Sequence, residues 1–147
     1  MLPMKLHTIG YGGRKPSEFL ELLAARGVKT AIDVRLRPDR ASLGTFARSR
    51  DPLKGIQGFL AAAGIQYAAF GELGNLFIDC EDWKVRYPRL IQEAGDILLE
   101  RFLDVLRGER LPGSWCLLCA ERRPEDCHRQ FIAARLVELG YSVDHIL

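Results

Sequence analysis

The sequence predicts one α/β domain over its 147 residues, a mainly parallel sheet of about five strands with helices on both faces. Three observations carry this expectation. Short runs rich in Ile, Val, Leu and Tyr alternate with stretches whose apolar residues recur at helical spacing. Gly27, Gly64 and Gly140 close helical stretches, in the place of a left-handed cap. The run Trp115–Ala120 (WCLLCA) is apolar throughout, without polar alternation, as a strand buried on both faces is.

Lys5 to Tyr11 is a first strand, and Gly12-Gly13-Arg14-Lys15 its outgoing turn. Pro16 opens a helix that presents Phe19, Leu20, Leu22 and Leu23. Thr30 to Arg35 is the second strand. The segment from Leu36 to Gly55 is rich in Arg, Pro, Gly and Ser, has few hydrophobic anchors, and reads as a long functional or mobile loop, not as a linker between domains. Ile56 to Ala63 is a short helix, Ile65 to Phe70 a third strand, and Gly71 to Asn75 the turn that leaves it. Asp79 to Gly108 is mostly helical, with Pro88 expected to begin a new helix. After Leu111-Pro112-Gly113 comes the apolar strand. A helix from about Glu125 to Leu139 and a last strand, Ser142 to Leu147, complete the pattern. Strand–helix alternation of this kind favours parallel pairing through right-handed crossovers.

Charge bounds the function. Twenty-one basic and 19 acidic residues leave a net charge of +2, close to balance. A protein whose main task is to grip nucleic-acid backbone carries more excess positive charge, although a local basic patch is compatible with these numbers. The N-terminus has no apolar core of signal-peptide length, and no segment is long enough to cross a bilayer. The expected compartment is the cytoplasm, with no membrane partner, and the four cysteines are expected to be free thiols.

The candidate chemistry lies where strands end. Strand parity sends Asp33, Arg35 and Arg37 one way and Ile32 and Val34 the other. A carboxylate between apolar neighbours needs a partner, and Arg35 or a later arginine is the candidate. Alternatively, Asp33 is a structural anchor for the loop. Cys116 and Cys119 are not a redox or metal pair, because residues three apart on a strand face opposite sides roughly 10 Å from each other. Cys116 reads as core filler. Cys119 shares a face with Glu121 at the strand end, where nearby positive charge can activate a thiol. Cys127-His128-Arg129 falls at the start of a helix, a place that favours anions. Arg129 there either holds a phosphate or carboxylate, or acts as a strut to Asp33 or Glu121.

Several blocks resemble the domain of unknown function 488 family of small prokaryotic α/β proteins. They are Thr8-Ile9-Gly10-Tyr11, Asp33-Val34-Arg35 with Arg37-Pro38 and Ser42, Gly64-Ile65 with Tyr67, Leu73-Gly74, Leu118-Cys119-Ala120-Glu121, Cys127-His128-Arg129, and the closing Val143 with His145-Ile146. Two departures are Gly74-Asn75, where the family has a double glycine, and the loop PDRASLGTF after Arg37. The resemblance implies an α/β fold with these residues around one crevice, and no reaction.

The combined expectation is a crevice in which Tyr11, Arg14, Asp33, Arg35, Arg37, Cys127 and Arg129 bind a small anionic ligand: a nucleotide, another phosphate-bearing molecule or a nucleic-acid end. Cys119 is the candidate nucleophile, with Glu121 and His128 as acid–base candidates. The chain lacks a phosphate-binding loop, a dinucleotide fingerprint and a zinc-ligand set at known spacing, so no cofactor or metal is expected. The alternatives are a non-catalytic binding module with the same residues, and a thiol sensor using Cys119 and Cys127.

Overall fold

Five strands and five α-helices alternate along residues 5–108 and 110–147, the residues described by a computed structural model. They are β1 (Lys5–Gly10), α1 (Pro16–Ala25), β2 (Thr30–Asp33), α2 (Gly55–Ala62), β3 (Gln66–Ala69), α3 (Trp83–Leu98), α4 (Glu100–Gly108), β4 (Trp115–Cys119), α5 (Arg129–Glu138) and β5 (Ser142–His145). All four pairings are parallel, and the strand order is β3-β2-β4-β1-β5. β4 therefore lies at the centre, and all five of its residues are buried. That is why its sequence carries no polar alternation.

The helices divide between the faces. On one, Phe19 and Leu23 of α1 and Ile56 and Leu60 of α2 pack on Ile9, Ala31, Cys116 and Leu118. On the other, Tyr87, Ile91, Phe102, Leu106, Ile132 and Leu136 of α3 to α5 pack on Leu6, Ile32, Leu117 and Cys119. Each fully buried Leu, Ile or Phe contributes about 1.5–3 kcal/mol by leaving water. Parity sends Cys116 and Cys119 to opposite faces, and all four cysteines are free thiols. No helix among the described residues is long and apolar enough to cross a membrane.

Three local expectations are corrected. The Leu36–Gly55 loop is anchored after all: Phe46 is buried, stacks on Tyr11 at 4.7 Å and meets Phe19 edge-on at 5.2 Å. One aromatic anchor is enough to fix the segment against the sheet. Pro88 does not open a helix but lies within α3. The helix extends before it because Tyr87 is buried and donates its hydroxyl to Leu73 O at 2.7 Å. Finally, the helix expected from Glu125 is interrupted. A 3-10 turn, Pro124–Asp126, gives way to an extended Cys127 (φ −133°, ψ 147°), and α5 starts only at Arg129.

The β1–β5 edge holds a pH-sensitive contact. Arg129 Nε donates to Thr8 Oγ1 at 3.2 Å, and Thr8 Oγ1 lies 2.6 Å from His145 Nδ1. Burial, and then the charge of Arg129, lower the His145 pKa below its usual 6.5. The unfolded chain takes up this proton first, so the contact's stabilisation is complete above pH 6.5 and is lost as pH falls toward the folded-state pKa. The urea midpoint of the wild type is expected to drop between pH 7.5 and 5.5, more steeply than that of His145→Gln. One such proton contributes a slope of at most about 1.4 kcal/mol per pH unit. Superimposable profiles would mean that His145 is not held neutral.

Candidate functional site

β1 and β2 both hand the chain to the α1–α2 face, whereas β4, between them, hands it to the opposite face. Divergence at the carboxyl ends of parallel strands leaves a crevice. Here it is a cleft of about 520 Å³. Cys119, Cys127 and His128 line it from the end of β4 and the turn into α5, and Tyr11 from the end of β1. Arg35, Arg37 and Arg40 come from the segment after β2, Asn75, Ile78 and Trp83 from the segment between β3 and α3, and Glu121 and Asp126 from the β4–α5 turn.

The floor is a compact sulfur–imidazole cluster. Cys119 Sγ and Cys127 Sγ lie 3.8 and 3.7 Å from His128 Nδ1. The ligand-type atoms of the three residues all fall within 4.8 Å of one another. His128 Nε2 is 2.7 Å from Val34 O. A carbonyl only accepts, so Nε2 carries a proton, and Nδ1 is the ring atom that faces the two sulfurs. The Tyr87 ring meets the imidazole edge-on at 5.1 Å and fixes its plane. Cys127 has an extended backbone and a buried thiol that faces His128 Nδ1.

The two thiols are not equivalent. Contact with Cys127, together with burial, pushes the Cys119 thiol up. Contact with Cys119 pulls Cys127 down against its burial, with help from His128 and the Arg129 charge. The Arg129 backbone N–H also points at Cys127 Sγ from 3.5 Å. The directions favour ionisation at Cys127 over Cys119, the candidate nucleophile from the sequence. At the rim, burial and then the negative charge near Cys127 and Asp126 raise the Glu121 carboxyl above its usual range.

Three residues expected in the crevice stand behind it, paired. Asp33 is buried, accepting from Arg35 N, Nε and Nη2 at 3.0, 2.9 and 2.8 Å and from the Tyr67 hydroxyl. It anchors Arg35, which reaches the cleft wall. Burial pulls the Arg35 guanidinium down, and Asp33 more than reverses that. Arg129 has 0% exposure, and its guanidinium donates to Thr8 Oγ1, Glu121 O and Arg122 O. It ties β1 to the β4–α5 turn through carbonyls, not through Asp33 or the Glu121 carboxylate. Arg14 is directed to Gly10 O, Ile146 O and Glu18, at the β1–β5 side. Arg14 does not line the cleft.

The sequence reading missed Arg40, Asn75, Ile78, Trp83 and Asp126 as lining residues. Asn75 was within reach, since it follows β3 at the same edge and departs from the family's double glycine. Its neighbour Gly74 has a backbone reason: a Cβ there would stand 2.6 Å from Leu36 Cα. At Gly10 a Cβ would stand 1.6 Å from Glu121 O, so the β4–α5 turn can close over β1 only above a glycine. A larger and more open hollow, about 790 Å³, lies near Lys5, His7, Arg26 and Trp115 at the amino ends of the strands. It lacks a comparable cluster, and parallel sheets do not place their ligands at that end.

A family model, Domain of unknown function DUF488, matches residues 15–136, most of the chain. The chain belongs to this family. The family match contains the whole Cys119–Cys127–His128 floor and the Asp33–Arg35 pair, while Thr8–Gly10 and His145 lie outside the matched span. No curated protein and no solved structure matches the chain.

Proposed function

We propose that the cleft binds a small anionic ligand, such as the phosphate of a nucleotide or of a nucleic-acid end, and acts on it with the sulfur–imidazole floor. One observation carries this reading: Arg35, Arg37 and Arg40 border the same cleft whose floor is Cys119, Cys127 and His128. Guanidinium groups match phosphate oxygens bidentately. Arg37 is exposed and paired with exposed Asp79, a surface contact that a ligand displaces at little cost. Glu121 is the acid–base candidate on the wall, and Nδ1 is the available nitrogen of His128. The reading takes the protein as cytoplasmic, where its cysteines stay reduced.

A non-catalytic binding module is the second reading, favoured by the burial of both floor sulfurs, with Cys119 5% and Cys127 2% exposed. Both readings require anion binding. Inorganic phosphate at 100 times its dissociation constant is expected to stabilise the protein by about 2.7 kcal/mol over chloride at matched ionic strength. An Arg37→Ala/Arg40→Ala variant is expected to keep its fold, because both residues are exposed, and to lose most of that gain. Equal gains in the two proteins would remove the arginine rim from the binding site and the reading with it.

A further inference from the structure

We infer that Cys119, Cys127 and His128 form a binding site for a divalent transition metal of the zinc class, with its fourth position open to the cleft. Two sulfurs and one imidazole nitrogen are a donor set for soft to borderline ions. The spacing fits. With Zn–S near 2.3 Å and Zn–N near 2.0–2.1 Å, a tetrahedral ion separates sulfur from nitrogen by about 3.6 Å and sulfur from sulfur by about 3.8 Å. The two sulfur–Nδ1 distances are 3.8 and 3.7 Å, and the sulfurs lie within 4.8 Å of each other. Little movement is needed to close the three donors on one ion.

The surroundings point the same way. A metal-bound histidine typically donates its other ring N–H to a carbonyl or carboxylate, which orients the ring. His128 does so to Val34 O at 2.7 Å. The Arg129 backbone N–H, 3.5 Å from Cys127 Sγ, supplies the kind of outer contact that supports a ligating thiolate. Three protein ligands with one open position is the arrangement of catalytic zinc sites, as opposed to the closed four-ligand structural ones. No local spacing motif announces the set, because Cys119 ends β4 while Cys127 and His128 return to it across the turn.

Metal binding itself does not depend on the anion reading; only the identity of the fourth ligand rests on it. The test uses the full chain, stripped with a chelator under a non-thiol reductant and titrated with Co²⁺ and then Zn²⁺. One equivalent of Co²⁺ is expected to produce thiolate-to-metal charge-transfer absorption and tetrahedral d–d bands, which Zn²⁺ abolishes. Zn²⁺ is also expected to slow maleimide labelling of Cys119 and Cys127 in the wild-type protein, a readout that needs no variant. Cys119→Ser and His128→Gln are expected to lose more affinity than the about 10–100-fold that removing an outer contact costs. Cys80→Ser, at a partly exposed thiol away from the cluster, is expected to bind as wild type. Absence of the charge-transfer band, unchanged labelling, or Co²⁺ binding that survives both ligand variants overturns the site. Phosphate added to the Co²⁺ form separates the two proposals. Stabilisation by phosphate without a cobalt spectrum leaves the anion cleft standing and removes the metal. A cobalt spectrum indifferent to phosphate leaves the metal standing and removes the anion as its fourth ligand.

Discussion

Asp33→Ala is expected to cost about 3–5 kcal/mol, the range for removing one partner of a buried ion pair. For a chain of this length that lowers the melting temperature by roughly 6–20 °C. The Asp33 side chain is 0% exposed and that of Arg35 4%. Without the carboxylate, Arg35 keeps Phe46 O, at 2.6 Å, and the Tyr11 ring beside its guanidinium, neither of them an anion at neutral pH, and the Tyr67 hydroxyl loses its acceptor. The loss comes mainly from the charge left behind, so Asp33→Ala/Arg35→Met should be markedly less damaging than the sum of its single changes. Thermal and urea denaturation of the four proteins measure this. A single-variant loss below about 1 kcal/mol would mean that the pair does not hold the cleft wall.

Arg129→Ala is the second large effect, expected at about 3–5 kcal/mol by a different route. Here no carboxylate is stranded. The change leaves Glu121 O, Arg122 O and Thr8 Oγ1 without their donor and opens a cavity under the β4–α5 turn. Arg129→Lys should rescue little, since one ammonium cannot reach three acceptors held by a planar fork. The anion-specific gain from phosphate is expected to persist in whatever fraction of Arg129→Ala still folds, because the guanidinium faces carbonyls and not the cleft. Loss of that gain in a folded variant would return Arg129 to the binding site.

These residues show what the sequence made legible. The alternation of elements was readable because strands covered on both faces are apolar and helices with one buried face are striped. Parity placed Asp33 and Arg35 together and set Cys116 apart from Cys119, since period-two geometry needs no tertiary information. Strand order was not readable. Leu6 pairs with Trp115 and with Val143, and nothing in any of these segments names its neighbour. The break at Cys127 was hidden for a similar reason. Pro124-Glu125-Asp126 is a good local helix start, and only contact with β4 turns the next residue outward from that path. Most partners of Arg14 and Arg129 are backbone carbonyls, which no residue type advertises.

The central position of β4 governs how the chain can assemble. β1 pairs in the sheet with β4 and β5, so the strand at residues 5–10 has no strand partner until residues 115–119 exist. Before that, β2 and β3 are the only pair available. During synthesis at about 5–20 residues per second, β1 therefore waits at least several seconds with its apolar edge unmatched. The cleft floor can assemble only once β4 has joined β2 to β1, since Cys119 is that strand's last residue and Cys127 and His128 follow it. Such distant pairings place folding in the slower class of small domains. Nascent chains stalled ahead of residue 115 should remain protease-sensitive over their whole length, and protection should come at once when β4 emerges.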